Sequence, residues 1–235
     1  MSGTERPARI ELMDALRGLA VCLMVLHHFL YDLCEFLGAP WWLFTNPVFD
    51  VLHYFFAGLF IFLSGISSDF SRSNLKRGAK AMALALGITL VTYFMNMTIV
   101  FGVLHLLGIC MMLYPVYKKL PTQALAAVGV VLVVTGYLIS GTVVEAKFLF
   151  PFGFVYEGFT SSDFFPILPH LGWYMLGTVL GRTVYADKKT RLPGTFRESA
   201  IARFFCWCGR QSLFIYLLHQ PIVYGLLELI ASLKR

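Results

Sequence analysis

The sequence predicts an all-α fold: a polytopic membrane helix bundle of about seven transmembrane helices with a cytoplasmic N-terminus. Three observations carry that prediction. Of the 235 residues, 58% are hydrophobic and only 14% are charged, and the mean hydropathy is +0.72, values that belong to an integral membrane protein. Apolar stretches of about 20 residues, the length a helix needs to cross the hydrocarbon layer, recur along the chain. The basic residues between them fall on alternate sides: of 19 Lys and Arg, all but Lys147, Lys234 and Arg235 lie on the side of the N-terminus. Lysine and arginine collect in cytoplasmic loops, so that side is the inner one.

Each span rests on its own apolar run. The seven are Leu12–Phe36, Val48–Ser67, Gly78–Asn96, Met97–Tyr117, Gln123–Ser140, Asp163–Arg182 and Gln211–Ser232. Val144–Thr160 is aromatic but interrupted by Pro151 and Gly153; it reads as an interfacial or re-entrant segment. No Ser/Gly-rich or Pro-rich linker, charge block or internal repeat divides the chain, so residues 1–235 are expected to form a single integral-membrane domain. The N-terminal segment is basic and then apolar, but it carries His27, His28 and Asp32 and no small-residue cleavage site. A retained signal anchor is expected there. The five cysteines, Cys22, Cys34, Cys110, Cys206 and Cys208, include no Cys-x-x-Cys. They read as packing residues, with neither a disulfide framework nor a metal site.

The first span holds the principal functional signal. Arg17 and His28 are eleven residues apart, so ~100° per residue returns them almost to one helix face about 16 Å apart along the axis. Asp14, Tyr31, Asp32 and Glu35 extend the stripe. Lipid does not solvate such a face, which must point into the bundle or a wet cavity; there it is either a functional site or a polar clamp between helices. His27, adjacent to His28, points about 100° away and is expected to turn toward a neighbouring helix.

The other histidines leave their roles open. His53, near the outer end of the second span, is either interfacial or catalytic. His105, mid-span between Gly102 and Gly108, either lines a ligand channel or bridges helices. His170 after Pro169, and His219 before Gln220 and Pro221, have the same ambiguity. On the inner side Arg72, Lys76, Arg77 and Lys80 gather at the start of the third span, where a helix N-terminus adds its positive end; a phosphorylated ligand or anionic lipid would suit them. No glycine-rich phosphate loop occurs. Nucleic acid is not expected as a partner, because the cations sit in short interhelical loops.

In their order along the chain these motifs resemble a known family. The run from Arg9 through Leu16-Arg17-Gly18-Leu19 to His27-His28 is similar to the first helix of the heparan-alpha-glucosaminide N-acetyltransferase catalytic domain family. It is also similar to that of acyltransferase family 3, whose hallmark is an arginine, ten residues and a histidine. Phe55-Phe-Ala-Gly-Leu-Phe-Ile-Phe-Leu-Ser-Gly-Ile66 resembles the second-helix motif of both. Phe101-Gly-Val-Leu-His105 and Gly209-Arg-Gln-Ser-Leu-Phe-Ile-Tyr-Leu-Leu-His-Gln-Pro221 resemble later signatures of the first.

The resemblance implies an acyl-CoA dependent O- or N-acyltransferase of a bacterial cytoplasmic membrane. Such an enzyme moves an acetyl or similar group from cytoplasmic acetyl-CoA, or another acyl-CoA, to a saccharide or glycolipid acceptor at the outer face. It would place Arg17 on the donor's phosphate or pantetheine amide, with Arg72, Lys76, Arg77 and His105 as further donor contacts. His28 would take the acceptor's proton or carry the acyl group, and Asp32 would orient it. Animal members of the first family carry asparagine where His28 stands and place a histidine in the following outer loop, whereas Leu37 to Asn46 has none here. The catalytic role therefore falls to His28 or to His53. This chain is shorter than those enzymes, so heparan sulfate is not carried over as acceptor. A small proton-coupled transporter or flippase is the alternative, although no internal repeat supports it. A homodimer remains compatible with the sequence.

Overall fold

The computed structural model describes residues 10–95, 97–187, 189 and 198–233. Among them the regular structure is helical apart from two isolated β-bridges. The helices are α1 (Glu11–Leu37), α2 (Pro47–Asp69), α3 (Asn74–Phe94), α4 (Val103–Tyr117), α5 (Thr122–Ile139), α6 (Ile167–Thr183), α7 (Ala200–Arg210) and α8 (Ser212–Leu233). Asn96, the expected end of the third span, lies outside the described residues. So do Arg6, Arg9, Lys188, Arg191, Arg197, Lys234 and Arg235 of the charge pattern.

Four of these helices, α1, α2, α5 and α8, are long and apolar enough to cross a membrane. The other three expected spans differ from them for physical reasons. α3 carries Lys76, Arg77 and Lys80 in its first two turns. α4 leaves out the expected start of its span, because Gly102 is extended at its N-cap and Phe101 bridges to Phe164 instead. Its 15 residues reach only about 22 Å at 1.5 Å each, against a hydrocarbon layer of ~30 Å. α6 likewise begins only after Pro166, its extended N-cap, so His170 lies in its first turn. There His170 Nδ1 donates to Pro166 O at 2.7 Å.

The chain divides into two compact units, Met1–Phe60 with Asp187–Arg235, and Ile61–Ala186. In the first unit α1 packs along α7 and α8. Gly18 and Gly209 make the α1–α7 contact possible: a Cβ on Gly18 would strike the Phe205 carbonyl, and one on Gly209 the Asp14 carbonyl. Apolar lipid gives helices little reason to associate, so backbone approach at small residues supplies the packing. Ser199 caps α7, its Oγ accepting from Ala202 N–H at 3.1 Å. The helix buries Ala202, Cys206, Cys208 and Gly209 and exposes Ile201, Arg203, Phe204, Trp207 and Arg210. α1 ends at Gly38, whose φ of +67° suits a left-handed cap and whose N–H returns to Leu33 O.

The second unit pairs α3 with α4 and α5 with α6, through Gly78 against Gly108 and Gly129 against Gly172. Its part of α2 lies on α6, where Gly65 meets the Tyr174 carbonyl and Gly177 the Phe62 carbonyl. Tyr174 is fully buried, with its hydroxyl hydrogen-bonded to Ser68. Asp69, at the end of α2, accepts from Tyr114 Oη at 2.8 Å and from Arg182 Nε at 3.2 Å. Arg182 also donates to the carbonyls of Leu120 at 3.1 Å and Lys118 at 2.9 Å. One arginine thus joins the ends of α2, α4 and α6. Between α5 and α6 the chain forms a short 3-10 turn, Lys147–Phe152, and a bridge of Val143 with Val155; it makes no span.

Gly209→Val should drive a side chain into the backbone of α1. Overpacking of this kind costs about 1–3 kcal/mol, so the variant's thermal midpoint in detergent should fall clearly below that of Gly225→Val, where a Cβ meets nothing.

Candidate functional site

α1 and α8 bring the principal side chains together. His28 on α1 and His219 on α8 meet ring to ring, Nδ1 of the first 2.9 Å from Nε2 of the second. The rings are inclined by 26° with centroids 5.0 Å apart, so the nitrogens meet edge to edge. The other nitrogen of His219 is held by its own helix: Nδ1 lies 2.9 Å from Tyr216 O and 3.2 Å from Ile215 O. One turn along α1 the next residue pair repeats the contact. Asp32, fully buried, accepts from Gln220 Nε2 with both carboxylate oxygens, at 3.2 and 3.0 Å. Adjacent residues of α8 therefore grip residues one turn apart on α1.

One expected contact changes here. Asp32 does not orient His28: its carboxylate faces Gln220, while the Nδ1 that a carboxylate would hold faces His219. His53 stacks on His27, with centroids 4.2 Å apart and planes inclined by 27°, and Phe44 covers His27 at 4.8 Å. His27 thus turns toward α2, as its position relative to His28 required. The stripe on α1 is also shorter than its sequence: Tyr31 turns to Trp41 and Phe44, and Glu35 is exposed.

At the other end of that stripe Arg17 pairs with Asp14 at 3.6 Å. Asp14 is buried and Arg17 half-buried. A guanidinium is a planar fork of donors suited to anions and amides. In the second unit Arg72, Lys76, Arg77 and Lys80 are exposed at the start of α3. Asn74 fastens that end by donating from Nδ2 to Ser68 O at 2.7 Å.

His105 has the bridging role. Its Nδ1 accepts from Gly102 N–H at 3.2 Å, and its Nε2 lies 3.2 Å from the hydroxyl of Thr89, which donates to Ile99 O at 2.6 Å. Both ring nitrogens thus tie α3 to the start of α4. Among the described residues no group of three His, Cys, Asp or Glu could hold a metal ion.

The site contains two residues whose importance the sequence left unresolved, His219 and Gln220. Their signal was present: two adjacent polar residues inside an apolar span, which lipid would reject unless another helix satisfied them. The family model described as heparan-alpha-glucosaminide N-acetyltransferase, catalytic, matches residues 9–221, an interval that opens just before α1 and closes just after this pair. No curated protein matches the chain, and no solved structure does.

Replacing Gln220 with Leu should strand the buried Asp32 carboxyl and cost about 1–3 kcal/mol. Adding Asp32→Leu should recover part of that loss. Denaturation of the two single variants and the double variant decides it: strictly additive costs would rule out the pairing.

Proposed function

We infer the activity from one premise: the chain belongs to the heparan-alpha-glucosaminide N-acetyltransferase catalytic domain family. It is accordingly an integral membrane protein of an acetyltransferase family. We propose that it takes an acetyl group from cytoplasmic acetyl-CoA, or a similar group from another acyl-CoA, and delivers it to a hydroxyl or amine of a saccharide or glycolipid at the outer face. In this topology α3, α4 and α6 join the four long helices as crossings, and the N-terminus is cytoplasmic.

The observation that carries the proposal is the imidazole of His28, half-buried in a spanning helix and hydrogen-bonded to His219 at 2.9 Å. Histidine is the side chain best suited to exchange a proton near neutral pH. His28 removes the proton from the acceptor as its oxygen or nitrogen attacks the thioester carbonyl. The new O–acetyl or N–acetyl bond forms, the carbon–sulfur bond breaks, and the proton passes to the departing thiolate as CoA leaves as a thiol. Arg17, half-buried beside Asp14 on α1, is the proposed contact to the donor's phosphate or pantetheine amide, on its charge and fork geometry. The exposed cations Arg72, Lys76 and Arg77 are proposed phosphate contacts on their charge and accessibility. Asp32 supports the site through α8, and His53 through His27.

Purified protein in detergent, given acetyl-CoA with glucosamine as probe acceptor, should release thiol and form an acetylated amine. His28→Ala should slow both by about 10²-fold or more, the usual contribution of a general base, while acetyl-CoA still raises the thermal midpoint. Arg17→Ala should lose that thermal shift. Folded wild-type protein that fails to bind acetyl-CoA would favour a proton-coupled transporter instead.

A further inference from the structure

The hydrogen-bond chain through His219 fixes which nitrogen of His28 is basic. Backbone carbonyls only accept, so the His219 nitrogen facing Tyr216 O at 2.9 Å carries the hydrogen. A neutral imidazole holds one hydrogen, which leaves His219 Nε2 as an acceptor. His28 Nδ1 lies 2.9 Å from it, and two lone pairs do not face each other at that distance, so His28 Nδ1 is the donor. The lone pair of His28 then resides on Nε2, the ring nitrogen turned away from His219.

We propose that His219 is a positioning residue that holds His28 in the Nδ1–H tautomer, so that Nε2 is presented as the base. A third group conventionally orients a catalytic imidazole. Here a second imidazole does so, itself oriented by a helix carbonyl. The titratable groups around His28 leave that assignment intact. On its own helix His27 lies 5.8 Å away, ring to ring, and stacks on His53 of α2. Asp32 is occupied by Gln220. Among the described residues it is His219 of α8 that reaches a ring nitrogen of His28.

The inference rests on the proposed transferase reaction for its purpose, but its test does not. Nitrogen NMR of protein labelled with ¹⁵N-histidine, at a pH where the rings are neutral, distinguishes the two tautomers, and the His28→Gln spectrum identifies the His28 signals. Wild type should show His28 with hydrogen on Nδ1. His219→Gln should keep it there, because a carboxamide oxygen accepts the same bond, and should retain most of the acetyl transfer to glucosamine. His219→Phe removes the acceptor: the His28 signal should shift toward the Nε2–H form, and kcat should fall by between about 10²-fold and 10⁴-fold with KM for acetyl-CoA unchanged. The wild-type spectrum alone overturns the proposal if His28 carries its hydrogen on Nε2, whether or not the Phe variant folds. An identical tautomer in wild type and His219→Phe overturns it as well. The expected tautomers in a protein that transfers no acetyl group would leave the positioning intact and remove the transferase reading.

Discussion

A polar group inside a bilayer has no water to turn to, and the structure is organised by that restriction. Among the described residues, four polar side chains carried by the helices are met by partners on neighbouring segments. His28 is answered by His219, Asp32 by Gln220, Asp69 by Tyr114 and Arg182, and His105 by Thr89 and Gly102. These pairs select register, because a helix displaced by one residue would turn each partner by ~100° away from its mate. The His219-Gln220 dipeptide is the clearest case. Two successive residues engage two positions one turn apart, so α8 has a single rotation and a single height at which both bonds form.

Small residues make those bonds reachable. At Gly18 with Gly209, Gly78 with Gly108, and Gly129 with Gly172, the backbones lie closer than any side chain allows. Van der Waals contact over these strips supplies the association that the hydrophobic effect supplies in water. The two devices divide the work: glycine strips set the distance between helices, and polar pairs set their rotation.

The division explains what the sequence disclosed. Membrane class and the long apolar helices follow from composition and run length, which are local properties, and α1, α2, α5 and α8 agree with the expected spans to within a few residues. The ends of α4 and α6 were hidden because they depend on Phe101 meeting Phe164, a pairing of positions far apart in the chain. α7 passed as an inner loop because its 11 residues are too short to register as a span. Its spacing of Ala202, Cys206 and Gly209 nevertheless carries the helical period. Within the site, the eleven-residue interval singled out Arg17 and His28, and the ~100° rule separated His27 from His28. The partner of His28 was not legible, since a histidine's spacing tells which way it points but not what waits there; Asp32, correctly placed on the stripe, was for the same reason given to the wrong neighbour.

α7 also bears on how deep the histidines lie. A short helix with Ile201, Phe204 and Trp207 outward beside Arg203 and Arg210 has the makeup of one that floats at the lipid headgroups with its aromatic face dipped inward. Being fused to α1 at Gly18, it acts on that helix as a float acts on a weighted line. His28 follows the knot by ten residues, or about 15 Å along α1. Whatever depth α7 takes is thereby passed along α1 to the imidazole pair.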